Sequence, residues 1–294
     1  MRRLLALLPL AFFVSCKNVP ESVRLTEEFY ANVDSAKYDK VHAALVDEEK
    51  ALLSVAEFVT LFTSDSARAP GFDSTDEWHE MGTTGQETKL RAIRRIPDWN
   101  FIDKAAKKGK STKDYLTNLG SNIPRIKDTN RVVTLVTTPN GPRFRIGLKD
   151  IIAFEKAKQD IRSNLASKVK VTLKSGVAEN NFQSFFHVTG TVANSGDIEL
   201  KPIVFQVSMR GKVAGTTTLK TTVPAKGEHK GEMTCEYADG LTPQKLGTSF
   251  DVGRGAVNLG GFSVKVLSAS PADRKELERH ALAAIGATVA PRLY

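Results

Sequence analysis

The sequence predicts an α+β protein in which a helical N-terminal domain with a small antiparallel sheet precedes a β-sandwich and a C-terminal helix. Three observations predict it. Apolar residues recur at helical spacing from Val23 to Phe62, a period of two takes over from Ser167, and helical spacing returns after Ser270. The implied parts are a signal peptide over 1–15, an α+β domain over 16–166 that ends in a connecting helix, a β-sandwich over 167–269 and a terminal helix over 270–294. At 294 residues and 41% hydrophobic, the chain is long enough to bury two cores.

The first element is an address. Arg2 and Arg3 form a positive head and Leu4 to Val14 an apolar run, well short of the roughly 20 residues that span a bilayer. Ser15 and Cys16 end the run, and Lys17 and Asn18 turn the chain polar. A small residue, a cysteine and a polar tail resemble the lipobox of bacterial lipoproteins, with Phe13 where leucine is usual. The resemblance implies cleavage before Cys16, lipid on its thiol and amino group (a palmitate-type anchor), and a place in the cell envelope, on the outer membrane or the outer face of the inner one. Several acyl chains, at about 0.8 kcal/mol per buried methylene, would make that anchor stable. An ordinary secretory signal cut after Cys16 is the alternative, since Val14 and Cys16 are small enough for the peptidase.

Glu21 to Asp34 reads as a helix with Val23, Leu25, Phe29, Tyr30 and Val33 on a broad apolar face. Tyr38, Val41 and Leu45 mark a second. Ser54 followed by Glu57 is the capping-box pattern and opens a third, carrying Phe58, Val59 and Phe62. The succession Phe29, Tyr30, Val33, Tyr38, Leu45, then Ser54, Glu57 and Phe58, resembles the helical opening of lipoprotein domains of the nuclear-transport-factor-two-like type. That likeness implies helices over a curved antiparallel sheet, in domains that bind or scaffold.

Ser64 to Gly85 reads as a long polar loop carrying Asp76-Glu-Trp-His-Glu80, and Lys89 to Ile96 and Asp98 to Leu119 read as basic helices parted by Pro97. Arg131 to Thr138 and Arg143 to Lys149 predict a hairpin, with Val132, Val133, Leu135 and Val136 before Pro139, Asn140 and Gly141, and Phe144 and Ile146 after them. Asp150 to Ala166 follows as the connecting helix, with Ile151, Phe154, Ile161 and Leu165 on one side.

Seven alternating stretches come next, centred on Val171, Val188, Phe205, Leu219, Cys235, Phe250 and Val264. That count over about a hundred residues argues for an immunoglobulin-like sandwich. Within it, Gly190, Val192, Asn194 and Gly196 ahead of Phe205 and Val207 resemble the FxLYD-type envelope domain, with Ser208 and Met209 in place of its tyrosine and aspartate. The likeness implies a fold, since such sandwiches host many functions. Ser270 as cap, Pro271 as first helical residue and Asp273 in the first turn predict the last helix, whose face of Leu277, Ala281, Ala284 and Ile285 would dock on its own sandwich by default or else on a partner.

Charge is uneven. Residues 17–88 carry 6 basic and 15 acidic side chains, residues 89–165 carry 18 and 7, and residues 166–294 carry 16 and 11. The asymmetry marks either a basic face for anionic lipid, lipopolysaccharide or glycan, or acidic and basic segments that fold against each other. The interspersion of the basic residues with apolar ones favours the second. With Cys16 lipidated, Cys235 has no partner, which excludes a disulfide scaffold and a cysteine zinc site. Nucleic acid is not an expected partner outside a membrane.

Chemistry is sparse. Lys107 to Thr112 ends like a phosphate-binding loop, but Lys104 holds the place of its first glycine. Gly253, Gly255, Gly260 and Gly261 miss the dinucleotide pattern, with Asn258 where a third glycine belongs. Asp76, His79 and Glu80 would share a helical face and hold a hard metal or an acid-base pair, though no second histidine lies nearby in the sequence. No cofactor and no catalytic residue is expected. The function implied is a membrane-anchored binding or scaffold protein that recognises another envelope protein. The alternatives are a small-ligand-binding or hydrolytic pocket in the first domain, and an electrostatic binder of lipopolysaccharide or peptidoglycan through Lys104, Lys107, Lys108, Lys110 and Lys113.

Overall fold

The computed structural model describes residues 19–64, 77–97, 125–128, 132–179, 185–238, 249–251, 256–291 and 293. It is a mixed helical and β protein whose sheets are antiparallel. The expected signal peptide, Cys16, the helix over 98–119, Asp76 and the lysines from Lys104 to Lys113 lie outside the described residues. Two compact units divide the chain, 1–149 with 292–294 in one and 150–291 in the other. The division falls at the start of the connecting helix, where the sequence placed it at the end.

In the first unit, helices α1 (Glu21–Asp34), α2 (Tyr38–Ala43), α3 (Asp47–Lys50) and α4 (Val55–Ser64) precede strands β1 (Glu77–Thr84), β2 (Glu87–Pro97), β3 (Arg125–Asp128), β4 (Val132–Thr138) and β5 (Gly141–Arg145). The sheet order is β1-β2-β4-β5, with β3 also on β2. Helix α1 forms over its expected bounds, because Val23, Thr26, Phe29, Tyr30 and Val33 fall on one buried stripe. Helix α4 opens with the expected capping box: the Ser54 amide donates to Glu57 Oε2 at 2.8 Å and the Glu57 amide to Ser54 Oγ at 3.3 Å.

Four expectations are corrected here. The second helix stops at Ala43 and does not reach Leu45, because the next residues join the sheet: Leu45 bridges to Phe144, and the Val46 amide donates to the Phe144 carbonyl at 3.0 Å. The stretch taken for polar loop is a strand from Glu77 onward. Lys89 to Ile96 is strand as well, since β1 and β2 form a hairpin through Gly85 at φ 58°. Leu90 and Ala92 point to the core, and a partner strand on each side of β2 overrides the helical spacing of its cations. The β4–β5 hairpin forms around Pro139 and Asn140, but its second strand ends at Arg145 short of the expected Lys149, because a helix begins at Leu148.

Aromatic rings fill the interior of this unit. Phe29 stacks on Phe144 at 4.3 Å, Tyr30 on Trp78 at 4.7 Å, and Phe58 meets Phe62 at 4.6 Å between centroids. Each of these rings is buried. Helix and sheet are thereby held through one apolar face each.

Helix α5 (Leu148–Leu165) leads into the second unit, followed by a short 3₁₀ turn over Ala166–Lys168. Strands β6 (Val169–Glu179), β7 (Phe185–Asn194), β8 (Leu200–Met209), β9 (Lys212–Leu219), β10 (Glu228–Tyr237), β11 (Ser249–Asp251), β12 (Ala256–Leu259) and β13 (Phe262–Pro271) pair in the order β11-β12-β6-β7-β10-β9-β8-β13. Its six long strands curl, since β13, hydrogen-bonded to β8, also lies along β6. Strand β12 pairs with Gly176 to Glu179 of β6. The concave side buries Phe186, Val188, Phe205, Val207, Met209, Met233 and Cys235, with Ile161 and Leu165 of α5 packed among them.

Helix α6 (Arg274–Ile285) docks in cis, with Leu277 in that same core. Its start differs from the expected one. Pro271 is the last residue of β13, paired with Leu200, and the cap is Asp273, whose carboxylate accepts from the Lys275 amide at 2.8 Å.

Candidate functional site

The buried polar groups come first, because they are where pocket chemistry would be prepared. Glu49, 7% exposed, accepts from the Ile146 amide at 3.0 Å through Oε2, and from the Gly147 and Leu148 amides at 2.8 and 3.0 Å through Oε1. Its charge thus sits on the orphan amides at the start of α5, where the helix dipole favours an anion. Sequence reasoning missed it, since nothing in Asp47-Glu-Glu-Lys50 says which carboxylate turns inward. His42 donates through Nε2 to the Leu53 carbonyl at 2.9 Å, edge-on to Phe58. Lys158 pairs with Glu155 at 2.5 Å and lies 4.9 Å from the Phe154 ring centroid. All three are engaged in holding the fold.

In the second unit, one side chain is used in the same way. Asn194, the asparagine of the Gly-x-Val-x-Asn run, donates through Nδ2 to the carbonyls of Ile198 and Pro224 at 2.8 and 3.0 Å. Its Oδ1 accepts from the Gly196 amide at 2.9 Å. The residue ties two turns together. Burial pushes the Cys235 thiol up to about 11, so it is a core group and not a nucleophile at neutral pH.

His79 and Glu80 do not converge. They are successive residues of β1, so their side chains leave on opposite faces. Glu80 turns toward the helices and accepts a hydrogen bond from the Ser22 hydroxyl, whereas His79 lies outward, 4.0 Å from Glu77. No group of three or more metal-type ligands occurs among the described residues.

What the sheet of the first unit does assemble is a charged outer face. Ladder register fixes it. Trp78 opposite Ala92, and Glu80, Leu90 and Val133 in one row, point inward. The intervening rows therefore point outward. They are His79, Arg91 and Val132; then Lys89, Thr134 and Arg145; then Glu87, Val136 and Arg143. Lys89 and Arg91 are exposed, and Val132 is 44% exposed. Glu87 pairs with Arg145 and raises its affinity for the proton, and the Arg143 guanidinium donates to the Pro142 carbonyl at 3.0 Å. Lys89 and Arg91 have no ion-pair partner among the described residues. Read as a helix, Lys89 and Arg91 scatter around an axis; the strand places them on one face. Their alternation with Leu90 and Ala92 was the available signal.

No protein-family model, no curated protein and no solved structure matches the chain. No helix among the described residues is long and apolar enough to cross a membrane.

Proposed function

We propose that the chain is a lipid-anchored bacterial envelope protein, held by acyl chains on Cys16, that binds or scaffolds another envelope component through its surfaces. The observation that carries the recognition half is the use made of polar groups. Glu49, His42, Lys158 and Asn194 are each tied to backbone or neighbouring charge, and the interior of the first unit is occupied by stacked rings, while the uncommitted charges stand on an open sheet face. Recognition by a surface needs that arrangement, whereas a pocket for small-molecule chemistry needs a concave site with converging groups. The anchor half rests on Arg2, Arg3, the apolar run from Leu4 and Cys16 itself.

The finer fold reading belongs with this proposal. Strand β10 meets β9 only at Glu236 with Thr216 and Tyr237 with Gly215. Strands β6, β7 and β10 thus form one set and β9, β8 and β13 another, joined at a corner, which supports an immunoglobulin-like sandwich. Helices packed on one side of an antiparallel sheet support the nuclear-transport-factor-two-like reading of the first unit. Because α6 is docked on its own core, the surfaces left for a partner are sheet faces and edges.

The test is crosslinking in living cells of the tagged chain and its Cys16→Ser variant, read by mass spectrometry. A reproducible envelope protein captured by the first and lost with the variant is the expected result. Equal capture by both, or recovery of only a small metabolite, would overturn anchored recognition.

A further inference from the structure

Which way the first unit faces once it is anchored can be read from its charges. Its helical side is acidic: Glu21, Glu27, Glu28, Asp34, Asp39 and Glu48 are all exposed there. The outer face of its sheet presents Lys89, Arg91, Arg143 and Arg145 against Glu87 and Glu77, with Ile93, Val132 and Val136 between them. Arg24, Lys37 and Lys40 are exposed on the helical side too, and Asp47 and Glu48 of α3 act on Arg143 and Arg145, so the two sides differ in balance: the helical side is acidic on balance and the sheet face basic on balance. Such a body is not drawn to an anionic surface by its net charge; it is turned by it, cationic side inward.

The tether sets the distance. From Cys16 to Glu21 is about five residues, which span at most about 17 Å when fully extended. Helix α1 starts at Glu21, and Ser22 in its first turn is hydrogen-bonded to Glu80 of β1. The sheet is therefore held close to the bilayer. Attraction of a basic residue to anionic headgroups decays over a Debye length of about 8 Å, so a tether this short lets the face reach that range. The apolar residues among the cations suit the boundary between headgroups and acyl chains.

We infer that the outer face of the first unit's sheet lies on the anionic phospholipid headgroups of the bilayer that receives the anchor, with Lys89, Arg91 and Arg143 contacting lipid phosphate. This rests on the anchor proposed above. It turns the acidic helices, apart from the first turn of α1 at the tether, away from the membrane.

The experiment uses the mature lipidated chain in vesicles of phosphatidylcholine alone and in vesicles containing phosphatidylglycerol. Two readouts are taken: flotation, and labelling of lysines by a water-soluble acylating reagent followed by peptide mass spectrometry. The expected result is flotation with both vesicle types, with Lys89 labelled at least fivefold more slowly on the anionic vesicles and Lys40 of α2 labelled equally on both. Protection should fade at high salt, and Arg91→Glu with Arg143→Glu should restore labelling of Lys89, circular dichroism confirming that the variant is folded. Flotation with both vesicle types but equal labelling of Lys89 overturns the orientation and leaves the anchor standing. Protection on neutral vesicles overturns the electrostatic basis. A chain that fails to float with neutral vesicles removes the anchor and this inference with it.

Discussion

Glu49 shows how one side chain can be both costly and indispensable. A buried carboxylate is stable only when fully hydrogen-bonded, and three amides at the start of α5 meet that need. Glu49→Ala should lower stability by about 3 kcal/mol, since it leaves buried donors unsatisfied. Glu49→Gln should cost nearly as much, because its NH₂ group would face an amide that needs an acceptor. Urea denaturation checks both, and a Gln variant with wild-type stability would contradict the bonding described. Cys235 gives a pH signature. Its thiol is held near 11 by burial, above the ordinary value of 9.0. The unfolded chain therefore gives up this proton first as pH rises. The stabilisation present below pH 9 is lost between about 9 and 11, on the order of 3 kcal/mol. Stability measured across that range for wild type and Cys235→Ala should differ in slope; parallel curves would mean the thiol is not buried.

Elements built on local chemistry were legible. Helix α1, the Ser54–Glu57 capping box, the β4–β5 hairpin and the alternation in β7 and β8 are each specified by residues near one another in sequence. The misses have a common cause. Residues 89–96 carry good helix formers, and only the strands on either side of β2 make them extended. Four-residue α3 and β12 are too short to carry a period. The basic face was illegible for the same reason, since it exists only once β2 is a strand between β1 and β4. At the corner of the second sheet, a Cβ on Gly215 would run into the Glu236 carbonyl and the Phe186 ring. Gly215→Ala should therefore prise β9 from β10 and cost roughly 2–3 kcal/mol, with early loss of protection at the Tyr237 amide in hydrogen exchange. Unchanged exchange there would show that the added methyl is accommodated without separating the two strands.

Across the whole chain, the structure divides into two units, one of helices then sheet, one largely β with a helix at each end. Among the described residues of the first unit the outer sheet face carries Lys89, Arg91, Arg143 and Arg145, and the last helix serves its own core. The proposed function places these features at a surface through Cys16, which makes that cysteine the point on which the account stands. The measurement that tests it most directly is metabolic labelling with radioactive palmitate, combined with membrane fractionation, of the wild-type chain and Cys16→Ser. The account predicts label and membrane association for wild type and neither for the variant. Label retained by Cys16→Ser, or a wild-type chain recovered unlabelled in the soluble fraction, would contradict it.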